Sequence, residues 1–190
     1  LKRVQTRVGF EFNDAKRHAA EVATQREAEA LVTREVGDVV EAATRSRMMA
    51  AIRGKDTRPE MILRQGLHSR GFRYRLHDRR LPGSPDLVFP GRRAVIFVHG
   101  CFWHGHGCHL FRLPTTRQEF WRAKIEGNRA RDVAAEAALL ADGWRVLTIW
   151  ECALKGRGRM PVAEVLDRAA DWLANGSIQE AIVGEVNGGF

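Results

Sequence analysis

From about residue 44 onward, the spacing of apolar positions switches repeatedly between helical and extended periods. Thr44 or Ser46 can cap a basic helix that runs through about Arg53 and ends at Gly54. Thr57-Arg-Pro-Glu60 opens the next helix: Thr57 is placed as N-cap, Pro59 sits in the first turn, and Glu60 completes a capping box. Met61, Ile62, Leu63 and Leu67 give this helix its buried side, and Gly71 follows its end. Phe72 to Leu76 alternates as a strand with one face buried. The turn-rich segment His77 to Pro85 then leads to Asp86-Leu-Val-Phe89, a short strand. Pro90-Gly91 turns the chain back, and Ala94 to Val98 forms the next strand, so the two apolar runs predict an antiparallel hairpin at the centre of a sheet.

Residues 117 to 141 predict a long helix with Phe120, Trp121, Ile125, Val133, Leu139 and Leu140 as apolar positions, closed by Gly143. Trp144 to Trp150 is a buried strand ending at Glu151-Cys152, and a last amphipathic helix spans about Pro161 to Ala174. Strands interleaved with helices make the fold α/β. Residues 1–38 have helix-forming composition, but Phe10, Phe12, Val22 and Leu31 are a thin apolar stripe, so this stretch reads as a helical or disordered extension. The working domain is expected over 39–175, with 176–190 as a Gly-rich, frayed tail.

Charge sharpens this division. Residues 1–38 hold seven Lys/Arg against seven Asp/Glu, and 94–190 hold eleven against eleven. Residues 44–93 carry thirteen against four, and Glu41 makes up the balance to the net +8. So local an excess, mostly arginine, suits a polyanion contacted along one face, because guanidinium forks pair with phosphates and displace condensed counterions; a merely solvated basic surface is the alternative. No stretch approaches the ~20 apolar residues of a membrane helix. The N-terminal Leu1-Lys-Arg-Val lacks an apolar signal core, so a cytoplasmic protein is expected. Three cysteines cannot all pair within the chain, which favours metal ligation or plain thiols.

Four of the seven histidines and two of the three cysteines crowd into His99 to Cys108-His109, directly after the apolar strand. Cys101, His106 and Cys108 can supply three ligands of a tetrahedral zinc, with Cys152 the candidate fourth; spacing alone leaves His104 or His109 open in place of His106. Asp86, at one strand end beside the Val98-His99 end of its neighbour, suits a divalent-metal site that polarises a phosphodiester, although an Asp after Pro is also a common turn former. Phe102-Trp103 suits stacking on bases or wedging between base pairs, or equally a lid over the core, and Trp121 shares that ambiguity.

Taken together, Thr44-Arg-Ser-Arg-Met-Met, Asp56-Thr-Arg-Pro-Glu60, Leu81-Pro-Gly-Ser-Pro-Asp86, Val95-Ile-Phe-Val-His-Gly-Cys-Phe-Trp-His104 and Gly143-Trp-Arg-Val-Leu-Thr-Ile-Trp-Glu-Cys152 resemble the very short patch repair endonucleases over about residues 40–175. The resemblance implies a restriction-endonuclease-like mixed sheet flanked by helices with a structural zinc site. It implies a Mg²⁺-dependent nickase acting 5′ of the thymine in T·G mismatches left by 5-methylcytosine deamination. By the same resemblance, Asp86 and the Val98 carbonyl would hold Mg²⁺, His104 would be the general base, and His99 and Glu60 would support the site. Cys101, His106, Cys108 and Cys152 would bind zinc; Phe102, Trp103 and Trp121 would intercalate; and Arg45, Arg47, Arg53 and Lys55 would lie on the DNA. It further implies a monomer on the bacterial nucleoid that works beside general mismatch-repair proteins. Two departures stand out: Val98 replaces an expected Thr, and Gly105 and Gly107 stand where the family loop is often richer in histidine, which narrows the zinc ligand toward His106. Rival readings are a restriction-type enzyme cutting intact sites, a non-catalytic zinc-stabilised DNA-binding module, and a hydrolase with catalytic zinc.

Overall fold

The structure is a computed structural model that describes residue 44 and residues 54–185. The expected extension 1–38, the basic helix through Arg53, and residues 186–190 lie outside the described residues, apart from Thr44, which is helical. The residues from 54 to 185 fall within one compact unit.

Five strands, β1 (Arg75–Leu76), β2 (Leu87–Phe89), β3 (Ala94–His99), β4 (Arg145–Trp150) and β5 (Gln179–Ile182), make one sheet in sequence order. β1, β2 and β3 pair antiparallel, whereas β3, β4 and β5 pair parallel, so the sheet is mixed. The β2–β3 hairpin turns through the 3-10 segment Pro90–Arg92, with Arg93 in the left-handed region that closes it. β3 and β4 run side by side from Ala94↔Arg145 to His99↔Trp150. Their C-terminal ends therefore emerge together, which brings Cys101 and Cys152 to one edge of the sheet.

Helices cover both faces. α1 (Arg58–Ser69), the single-turn α3 (Glu151–Leu154) and α4 (Val162–Asn175) bury Leu63, Leu67, Ala153, Val165, Leu166, Trp172 and Leu173 against Leu87, Ile96, Leu147 and Ile149. On the other face, α2 (Gln118–Ala141) sets Leu139 and Leu140 on Val88, Val95, Phe97 and Val146. The odd and even residues of β3 thus serve opposite layers, which is why its apolar run is unbroken.

Several local expectations change. Thr57 Oγ1 does accept the Glu60 amide, at 3.4 Å, but the Glu60 carboxylate takes the Asp56 amide at 3.0 Å and the Thr57 hydroxyl at 2.8 Å, where a standard capping box would take the Thr57 amide. Glu60 is consequently buried, 3% exposed, while Met61 and Ile62 are only half-buried. The strand expected over Phe72–Leu76 shortens to Arg75–Leu76, although Phe72 and Tyr74 still pack on the core. Of the apolar positions foreseen on α2, Phe120 and Val133 are 47% and 67% exposed. The supposed tail beyond 175 is corrected for Gln179–Ile182, which forms the fifth strand; its polar residues face outward on the sheet edge, and Ile182 alone is buried.

Candidate active site and metal centre

Asp86 immediately precedes β2, and the antiparallel register sets it beside the end of β3. Its Oδ2 accepts the Val98 amide at 2.7 Å. Burial pushes its carboxyl up to about 6, helped by the charge of Glu60 and opposed by the Val98 amide, His77 and His104. His104 therefore stands within electrostatic reach of Asp86.

The loop after β3 folds back through turns from the His104 amide to the Gly100 carbonyl at 3.2 Å and from the His106 amide to the Cys101 carbonyl at 2.9 Å. Glu151 accepts the Cys101 amide at 3.3 Å, and Asn128 on α2 donates to the Trp103 carbonyl at 2.7 Å, so both neighbouring elements pin it. Gly105, in the left-handed region at φ 62°, passes so close to α2 that a Cβ there would meet Ile125 at 2.8 Å. Glycine at this position fits the loop against the helix, where a histidine would not.

This folding stacks the His104 ring on His99, with centroids 3.8 Å apart and planes 4° from parallel, while the edge of Trp150 closes against His99. His104 Nδ1 lies 2.6 Å from Asp132 Oδ2 on α2. Burial raises the Asp132 carboxyl, but the hydrogen bond to His104 and the charges of His104, His99 and Arg131 leave it below its ordinary value. An ionised carboxylate only accepts, so Nδ1 donates to Asp132 and Nε2 is the ring nitrogen that Asp132 does not hold. His99, drawn down to about 4 by burial and by His104, is neutral near pH 7.

Cys101, His106, Cys108 and Cys152 converge, with one donor atom from each lying within 4.8 Å of the others. His106 Nδ1 is 3.7 Å from Cys101 Sγ and 3.5 Å from Cys152 Sγ, and its ring stacks on Trp150 at 4.2 Å. Of the imidazoles left open by spacing, His106 is the one drawn into this cluster; His104 is held by Asp132, and His109 stands outside. Burial pushes the Cys101 and Cys152 thiols upward.

Phe102, Trp103 and Trp121 form a partly exposed aromatic group, Phe102 lying 5.1 Å from Trp103 and 5.4 Å from Trp121 between ring centroids. Glu60 joins the site through His77, which lies between it and Asp86. Lys55 is exposed just ahead of α1, whereas Arg45, Arg47 and Arg53 lie outside the described residues. Two groups escaped the sequence reading. Asp132 is one acid among several on a long helix, and only its position between the turns of α2 and the loop singles it out. His77 read as part of a turn-rich loop.

Asp86 just ahead of β2 and the His104–Asp132 pair in the loop that leaves β3 thus set a carboxylate and a carboxylate-held imidazole near adjoining strand ends of a strongly basic chain. The family model for DNA mismatch endonuclease Vsr matches residues 37–110. The type II nicking enzyme V.XorIIP of Xanthomonas oryzae pv. oryzae is 57% identical over 113 residues, 60% of this chain and 83% of that protein. The DNA mismatch endonuclease Vsr of Escherichia coli is 46% identical over 138 residues, 73% of this chain and 88% of its own length. The type II nicking enzyme V.NmeAIP of Neisseria meningitidis is 41% identical over 120 residues, 63% of this chain and 86% of that enzyme. The chain belongs to the DNA mismatch endonuclease Vsr family. Among the described residues, no helix is long and apolar enough to cross a membrane.

Proposed function

We propose that this nuclease nicks duplex DNA on the 5′ side of the thymine in a T·G mismatch, using Mg²⁺ at the Asp86 site and a structural zinc at the Cys101, His106, Cys108 and Cys152 cluster. The reading is supported by Asp86, braced on the Val98 amide and within electrostatic reach of His104, and by the His104–Asp132 pair in the loop that leaves β3. The donors suit the ions. Three sulfurs and one imidazole nitrogen are a closed zinc set, and no position is left for water. A carboxylate and the Val98 carbonyl are the oxygen donors that Mg²⁺ prefers, and the raised Asp86 carboxyl marks a buried charge that a cation would compensate.

When bound, Mg²⁺ supplies Lewis acidity toward a phosphate oxygen and eases ionisation of a water. His104 Nε2 accepts the proton of the attacking water, Asp132 stabilises the imidazolium that results, and the stacked His99 fixes the ring plane. A neutral His99 adds no like charge when His104 takes its proton. Phe102, Trp103 and Trp121 enter the base stack beside the mismatch, where unstacking costs least because pairing is already poor. The basic segment 44–93, including Arg45, Arg47, Arg53 and Lys55, runs along the phosphates. The endonuclease domain would take in the fifth strand and so extend past residue 175.

The test is a nicking panel on end-labelled duplexes with T·G, other mismatches and full pairing, in Mg²⁺ or in Zn²⁺ alone. Mg²⁺-dependent cutting of one strand, 5′ of the mismatched thymine, is expected. Equal cutting of paired duplexes would replace this reading with a restriction-type enzyme, cutting with Zn²⁺ alone with a zinc hydrolase, and absence of cutting with a DNA-binding module.

A further inference from the structure

One imidazole at the site has no part in the steps above. His77 follows β1 directly across from Asp86, and its amide donates to the Asp86 carbonyl at 3.4 Å, extending the Leu76↔Leu87 register by one pair. Its backbone is left-handed, at φ 45°, a region that side-chain-bearing residues disfavour and that in folded proteins tends to mark functional positions. That turn sends the ring between two carboxylates: Nδ1 lies 3.6 Å from Asp86 Oδ1 and Nε2 lies 3.8 Å from Glu60 Oε2, just outside hydrogen-bond length. Nε2 is fully buried and has no hydrogen-bond partner.

The carboxylates are otherwise committed. Asp86 Oδ2 takes the Val98 amide, Glu60 Oε1 takes the Thr57 hydroxyl, and Glu60 Oε2 takes the Asp56 amide. The imidazole therefore faces the one Asp86 oxygen not already held by the backbone. It stands where two negative groups, each largely removed from water, would otherwise repel without anything between them. Mg²⁺ is a hard ion that takes oxygen ligands, so an imidazole here serves the carboxylates and not the ion itself.

We infer that His77 is a positioning residue that sets the spacing and orientation of the Asp86 and Glu60 carboxylates for a divalent cation. The inference rests on the reading of Asp86 as a cation ligand, and the experiment separates the two. Mn²⁺ is titrated into the zinc-loaded full chain without DNA and followed by electron paramagnetic resonance, with zinc content and melting temperature recorded for each variant. Wild type binds Mn²⁺ and Asp86→Ala does not; if that fails, the cation reading itself falls. Given that difference, His77→Phe and His77→Leu weaken Mn²⁺ binding about 10-fold or more, the usual effect of losing a group that orients a metal ligand, with zinc content unchanged. His77→Gln, whose amide can still donate, recovers most of the loss. All three substitutes carry a Cβ and share the backbone strain, so a packing role alone would move the melting temperature and leave Mn²⁺ affinity intact. Wild-type affinity in both apolar variants, or a Gln variant no better than Phe, overturns the inference.

Discussion

Replacing Asp86 by Asn removes a buried charge while keeping an oxygen to accept the Val98 amide. The Asp86 side chain is 18% exposed, and its carboxyl lies at about 6 in place of the ordinary 3.8. The folded protein therefore holds this proton more tightly than the unfolded chain does. The associated stability is fully present below about pH 4 and is lost as pH rises through about 6. A gap of about two pH units corresponds to about 3 kcal/mol at full ionisation. An Asn at 86 does not titrate, so urea unfolding in zinc-replete, Mg²⁺-free buffer should show the variant gaining on wild type by about 2 kcal/mol between pH 4.5 and pH 7. Adding Mg²⁺ should restore stability to wild type only, since binding to the folded state alone stabilises it. A wild-type-to-variant gap that stays constant with pH, or an Asn variant less stable at pH 7, would refute the reasoning.

Asp132→Asn removes the acceptor that fixes the His104 tautomer, and single-turnover nicking should fall about 10²- to 10⁴-fold with duplex binding retained in a gel-shift assay. Cys152→Ser opens the sulfur cluster, so zinc measured by atomic absorption should drop below one equivalent and cooperative unfolding should be lost. Arg145 donates to the Trp172, Leu173 and Gly176 carbonyls at 2.8, 2.9 and 3.3 Å at the end of α4. Its replacement by Ala should cost about 2–4 kcal/mol in urea unfolding while the nicking rate at low temperature stays near wild type.

The parts of the fold that could be read from the chain are those where burial repeats at a period. The β2–β3 hairpin and β4 each bury a continuous apolar set, and their bounds, like those of α2, fall within a residue or two of the expectation. The convergence of Cys101 with Cys152 was readable because two apolar runs, each ending in a cysteine, fit neighbouring strands, and the parallel register sets those ends level. β5 escaped because an edge strand with outward Gln179, Glu180 and Ala181 carries no apolar alternation. Local spacing pointed Glu60 to a helix cap and only the family resemblance to a site role; its burial near His77 and Asp86 follows from how α1 docks. His77 was hidden for a related reason: its left-handed backbone breaks the β1 pattern at the residue that faces Asp86. Side chains that act across elements leave little trace in the local spacing of either one.

Asp86 and His104 are held to serve one phosphate, and a double-mutant cycle tests this most directly. Single-turnover nicking of a T·G duplex in Mg²⁺ is compared for wild type, Asp86→Asn, His104→Ala and the double variant. Two groups acting on the same reacting atoms lose activity as a unit, so the double variant should fall no further than the worse single one. Losses that multiply would contradict a shared site.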